Sequence, residues 1–257
     1  VLIRSDDLLS GKYGRSGHFV RFYDEGDVML DEVAAFLAQA VRVDGKGIVI
    51  ATPDHTDVLR RRLGPAAAVR VAWLDADAVL AQFMVDGWPD PARFEAAVGS
   101  TVAAACAGGT TVHAFGEMVA LLCARGRHNA ALRLEALWND LARRHVFSLF
   151  CAYPWNAFPT PDLAQAFRRV CAEHDHACAD TALALPAEGD IDIGRIRLEQ
   201  EVRALRTEVR RYKDNEQVLR RSERELADFV ENAVEGLHRV GADGTILWAN
   251  RAELQML

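Results

Sequence analysis

The chain has 257 residues, half of them apolar and 26% charged, with a formal net charge of −7. That length suits one full α/β domain plus something smaller, since domains run to about 100–200 residues. The acidic balance, with no Lys/Arg stripe interleaved with aromatics, argues against nucleic acid as the main partner, because phosphate binding needs a basic footprint.

No apolar run approaches the roughly 20 residues that span a bilayer, and no signal peptide opens the chain, so a cytoplasmic location without a membrane partner is expected. The sequence starts Val1-Leu-Ile-Arg4 without a methionine, so its first residue is not expected to be the natural start. Five scattered cysteines, Cys106, Cys123, Cys151, Cys171 and Cys178, read as reduced thiols rather than a disulfide framework.

Over residues 1–185, strand-like apolar runs alternate with helical patterns, the sign of βα units and a mainly parallel sheet in three layers. His18 to Tyr23 is the first strand. Asp27 can cap a helix whose apolar face carries Met29, Leu30, Val33, Phe36, Leu37 and Val41. Gly47 to Thr52 is the clearest buried strand, and Pro53 opens a helix over Asp54 to Leu63. Val69 to Leu74 makes the third strand and ends at Asp75. A mostly helical stretch from Ala76 to Ala107 is broken around Gly87-Trp88-Pro89. Thr110 to Phe115 is the fourth strand, running into Gly116-Glu117-Met118. A helix over Ala130 to His145 precedes the fifth strand, Val146 to Tyr153. Another helix starts at Pro161 or Asp162 and ends near His174, and Ala177 to Leu185 adds a last strand.

Pro186 to Asp190 reads as a linker. From Ile191 a heptad pattern takes over and continues to Val230. One core position carries Ile191, Leu198, Leu205, Tyr212, Leu219, Leu226 and Ala233. The other carries Arg195, Val202, Val209, Glu216, Glu223 and Val230. Alternating spacings of four and three between Arg- and Glu-rich flanks predict a coiled-coil helix and a parallel homodimer. Glu216 and Glu223 weaken the seam, as suits a relay. The alternative is one amphipathic helix packed on the domain.

Two stretches resemble known families. Over residues 1–185, His18-Phe-Val-Arg-Phe-Tyr23, Gly45-Lys-Gly-Ile-Val-Ile-Ala-Thr52, Phe115-Gly-Glu-Met118, Cys151-Ala-Tyr-Pro154 and Cys171-Ala-Glu-His174 resemble the MEDS sensory domain, a relative of the RecA/KaiC-like α/β fold. That resemblance implies sensing of a small, hydrocarbon-derived effector. Residues 231–257, together with Phe229 and Val230, resemble the incomplete opening of a PAS domain, through Phe229-Val-Glu-Asn-Ala-Val-Glu-Gly-Leu237 and Asp243-Gly-Thr-Ile-Leu-Trp-Ala-Asn250. Asp243-Gly244 suits a hairpin turn there. Sensor, coiled coil and PAS in that order imply a histidine kinase whose catalytic core and response regulator lie downstream. The chain itself is then not an enzyme.

A nucleotide-dependent enzyme of the same fold is the alternative, and a ligand-free interaction scaffold is a third possibility. A phosphate loop needs glycines, Lys and Ser/Thr after the first strand. The turn Tyr23-Asp-Glu-Gly-Asp27 instead has one glycine, no lysine and three carboxylates, which repel phosphate at a helix N-terminus. Glu117 resembles a catalytic carboxylate by position only, and no G-x-S-x-G elbow supports a hydrolase. Cys171, His174, His176 and Cys178 are zinc-type ligands, but they cross a helix end without paired CxxC spacing. Buried structural cysteines beside a surface His, with no metal and no cofactor, are expected, and His18 is expected to make a structural hydrogen bond. Ligands in open α/β sheets bind beyond the carboxyl ends of the strands. Those ends place Tyr23, Thr52, His55, Asp75, Glu117, Tyr153 and Trp155 around an effector pocket, in which Glu117 and His55 orient a polar group. The alternative is that Tyr23 and Tyr153 simply pack the helix layer.

Overall fold

The computed structural model describes residues 16–24, 26–179 and 193–256. The expected linker at Pro186 to Asp190, the heptad residue Ile191 and the side chains of Cys178 and Arg195 lie outside the described residues. The chain divides into two compact units, residues 1–204 and 205–257.

Six parallel strands form the sheet of the first unit: β1 Gly17–Tyr23, β2 Lys46–Ala51, β3 Val71–Asp75, β6 Val112–Gly116, β7 Ser148–Pro154 and β8 His176–Ala179. Their order is β3-β2-β6-β7-β1-β8. β4 (Met84–Val85) and β5 (Trp88–Pro89) make a separate hairpin. Its two-residue turn puts Asp86 at φ 50° and Gly87 at φ 85°, the geometry that matches the twist of paired strands.

Central parallel strands are covered on both faces, so β2 reads as an unbroken apolar run rather than an alternation. Period two still decides the face. Val20, Phe22, Ile48, Ile50, Ala114, Leu149 and Cys151 enter one core. Phe19, Val49, Ala51, Phe115, Phe150 and Ala152 enter the other. The thinner layer holds α1 (Gly26–Arg42) and α2 (Pro53–Leu63), with the short α3 (Pro65–Ala68) after them. A bidentate pair buried there joins β1 to α1, Arg21 Nη2 and Nε lying 3.0 and 2.9 Å from the Glu32 carboxylate oxygens.

The thicker layer contains α4 (Ala76–Phe83), α5 (Pro91–Phe94), α6 (Ser100–Cys106), α7 (Met118–Ala124), α8 (His128–Ala142) and α9 (Ala164–Glu173). A π-helical stretch, Glu95–Gly99, joins α5 to α6. The third and fifth strands start two residues later than the sequence pattern suggests. Val69 and Val146 are 83% and 63% exposed and sit in the turns before them. α7 and α8 are separate because Gly126, at φ 70°, breaks the run between them.

α10 runs over Ile193–Glu231 as one helix. The unit boundary falls inside it because its first turns pack on the α/β unit: Ile196 and Ala204 are buried, and Gln200 Nε2 donates to the Phe158 carbonyl at 3.2 Å. The expected seam residues point elsewhere. Leu198, Val202, Leu205, Val209, Tyr212, Leu219 and Leu226 are all exposed. Ala233 lies beyond the end of the helix.

In the second unit, β9 (His238–Val240) and β10 (Ile246–Ala249) pair antiparallel, followed by α11 (Arg251–Met256). Asp243 accepts from the Thr245 N–H at 3.1 Å, and Gly244 has φ 85°. Asn250, fully buried, ties this unit together. Its Oδ1 accepts from the Leu237 and Glu253 N–H groups, and its Nδ2 donates to the Val230 and Glu235 carbonyls.

Candidate functional site

β2 leads into α2 on the thin layer, whereas its neighbour β6 leads into α7 on the thick layer. The chain therefore parts between their carboxyl ends, the place where open α/β sheets gather ligands. Glu117, the single residue between β6 and α7, sits there and is 5% exposed. Its Oε2 accepts from the Thr52 N–H at 2.8 Å and from Thr52 Oγ1 at 3.4 Å. Its Oε1 faces His55 Nδ1 in a short hydrogen-bonded ion pair. Thr52 sits at the N-cap of α2 without a side-chain capping bond to that helix, so the carboxylate holds the start of the helix.

The hydrogen bond to Glu117 raises the His55 pKa, outweighing the burial that lowers it. Tyr23, at the end of β1, is pushed up to about 12 by burial first and by the Glu117 charge second. Gly26, which opens α1, lies so close that an added Cβ would stand 4.0 Å from His55 Nε2. Tyr23, Thr52, His55 and Glu117 thus form a half-buried polar crevice with one carboxylate and one imidazole, suited to orienting a small polar group.

The other three expected residues lie elsewhere. Asp75 is exposed and caps α4, accepting from the Ala78 N–H at 2.7 Å. Tyr153 is fully buried in the thick layer, and its hydroxyl donates to Glu135 Oε1 at 2.6 Å. Its odd position in β7 shares the face of Leu149 and Cys151, so it packs the helix layer instead of lining the lip. Trp155 is buried as well, stacked on Phe22 at 5.2 Å. Arg203 of α10 covers it, with the guanidinium 4.9 Å from the indole centroid, and donates to Asp24 at 2.7 Å. Asp24 and Arg203 had no local sequence signal, because the contact closes only when β1 and α10 come together.

Of the Cys/His stretch, the described side chains of Cys171, His174 and His176 go separate ways. Cys171 belongs to the apolar core, and His176 stacks on Phe19 at 5.1 Å. His174 is buried, not a surface residue. It joins His18, Glu135 and Cys151, whose nitrogen, oxygen and sulfur atoms all lie within 4.8 Å of one another. Glu135 carried the one readable signal of this group, a charge on the apolar stripe of Ala131, Leu134, Trp138 and Leu141 in α8.

Residues 17–169 match the family described as the methanogen/methylotroph, DcmR sensory domain, MEDS. The chain belongs to the MEDS family. The match takes in β1 through most of α9, and with them the whole carboxyl-edge crevice, so this MEDS unit has a sensory role in signalling. α10 and the second unit lie outside it. No curated protein matches the chain. Among the described residues no helix is long and apolar enough to cross a membrane.

Proposed function

We propose that this chain is the sensing and relay portion of a cytoplasmic signal-transduction protein, in which a small, hydrocarbon-derived effector settles on Tyr23, Thr52, His55 and Glu117. The observation that carries the relay is the two-sided start of α10. One side is anchored at the carboxyl edge of the sheet, through Arg203 to Asp24 after β1 and over Trp155 after β7. The other side, Leu198 and Val202, is bare and continues as the apolar stripe Leu205, Val209, Tyr212, Leu219 and Leu226. A heptad stripe left unpaired on a single helix is the surface that a parallel coiled coil buries. A second copy of the chain is its partner. Over about forty residues at ~1.5 Å rise, the helix carries a displacement at the sheet edge over ~60 Å.

The β9–β10 hairpin and α11 supply the opening of a PAS domain, and a kinase core with its response regulator follows downstream. Nucleotide chemistry has little support at the turn after β1. That turn carries Asp24 and Asp27 at the start of α1 and has no lysine.

Light scattering tests the relay: a dimer is expected, and a monomer at micromolar concentration overturns it. Effector-dependent kinase output of the full-length parent tests the rest, with one- and two-carbon alcohols, amines and halides as probes. Glu117→Gln is expected to abolish the response, and Arg203→Ala to uncouple output while the ligand-induced thermal shift persists. If both variants respond like the wild type, the crevice is not the sensing site.

A further inference from the structure

The second cluster, on the thick-layer face of the sheet, has no part in the crevice or the relay. We propose that His18, Glu135, Cys151 and His174 form a closed four-donor site for a divalent transition-metal ion of the zinc type.

Four elements contribute, β1, α8, β7 and the end of α9, and all four residues are buried. His18 Nε2 is 3.4 Å from Cys151 Sγ and 3.3 Å from Glu135 Oε2, and Cys151 Sγ is 3.6 Å from that same oxygen. Zinc bonds of about 2.0–2.3 Å give tetrahedral donor–donor edges of roughly 3.3–3.8 Å. Those three atoms already have the spacing of one tetrahedral face. His174 Nε2 stands 3.4 Å from the other Glu135 oxygen, and no two donors are more than 4.8 Å apart.

The outer contacts fix which ring nitrogens face inward. His174 Nδ1 lies 2.7 Å from the Val170 carbonyl, which can only accept, so Nδ1 carries the proton and Nε2 a lone pair. That Nε2 is buried without a hydrogen-bond partner. His18 is set the same way. The Asn139 amide nitrogen donates to the Glu173 carbonyl and carboxylate, leaving its Oδ1 to accept from His18 Nδ1 at 2.8 Å. Two Nε2 lone pairs thus converge on a carboxylate and a thiol, each held from behind as metal ligands are.

Charge leads to the same conclusion. Glu135 is fully buried, with His18, His174 and the Tyr153 hydroxyl around its carboxyl group. A buried carboxylate requires a compensating cation. A divalent ion with one carboxylate and one thiolate is neutral overall, the Cys151 proton leaving to solvent on binding. Sulfur, imidazole and carboxylate together select zinc over magnesium or calcium. Four protein donors with no open position describe a structural site. A cleft of about 370 Å³ at the amino ends of β1 and β7, lined by Asn139, Glu173 and Asp175, reaches His18 of the four donors.

The test is elemental analysis of the 257-residue chain purified without chelator, followed by stripping and titration with Zn²⁺ and Co²⁺. About one zinc per chain is expected, with a thiolate-to-cobalt charge-transfer band in the Co²⁺ form. Cys151→Ser is expected to remove the band and His174→Gln to weaken binding sharply, while Cys171→Ala retains both. Asn139→Ala, which touches no donor set but the back of His18, is expected to weaken affinity about 10–100-fold. A stripped wild-type chain that takes up neither ion at micromolar concentration overturns the proposal. So does a bound ion without the thiolate band, or full binding by Cys151→Ser. Should Cys151→Ser fail to fold, the wild-type band and the Asn139→Ala affinity decide the matter.

Discussion

Glu117→Gln is the perturbation that the carboxyl-edge crevice makes sharpest. In the wild type, the carboxylate accepts the Thr52 N–H at 2.8 Å and pairs with His55. The glutamine carbonyl can keep the Thr52 bond, so the loss is confined to the ion pair. Hydrogen bonds to charged groups contribute about 1.5–3 kcal/mol. The His55 side chain is 30% exposed, and solvent screening reduces that to about 1–2 kcal/mol. For a unit of this size, roughly 2–4 °C per kcal/mol gives a fall in Tm of about 2–8 °C. The loss is also pH-dependent. The folded-state pKa of His55 lies above its ordinary 6.5, so the pair's contribution is complete below about pH 6.5 and fades as pH rises through the raised value. Thermal melts of both proteins between pH 5.5 and 9.5 are therefore expected to differ most at the acid end and to converge at the alkaline end. NMR titration of the His55 ring is expected to show its pKa dropping in the variant. A pH-independent gap, or an unchanged His55 titration, refutes the assignment of the pair.

Leu205→Arg with Leu219→Arg places charges on the exposed stripe of α10; light scattering is expected to show monomers, with the melting of the α/β unit shifted by less than about 0.5 kcal/mol. Phe22→Ala empties the centre of a ring cluster formed with Tyr153, Trp155, Phe158 and Phe167, and denaturant melts are expected to show a loss of about 3–5 kcal/mol. Gly45→Ala drives a Cβ against the Thr111 carbonyl oxygen and to 2.6 Å from that of Ala40. Both obstacles are backbone, so a loss of about 1–3 kcal/mol is expected in the same assay.

Much of this molecule is written locally. A short, β-branched apolar run such as Gly47 to Ala51, bounded by glycine and proline, reads as a strand covered on both faces. Pro53, Pro91 and Gly126 mark helix starts and breaks because proline fixes φ and glycine accepts positive φ. The heptads foretold one long helix with a bare apolar stripe, since a stripe depends only on spacing along a single helix. Thr52, His55 and Glu117 were also legible together, because each follows a strand's carboxyl end and the sheet sets those ends side by side.

Tertiary structure decided the rest. Tyr153 is one residue from the opposite face of β7, and pairing put it in the core on Glu135 rather than at the lip. The chain division moved into α10 because Ile196, Gln200 and Ala204 found a surface that no heptad count foretells. His174 left its Cys/His neighbours in sequence for His18, Glu135 and Cys151. Spacing fixes which residues share one element, but donors on four elements meet only through sheet order and helix packing, which the whole core sets at once.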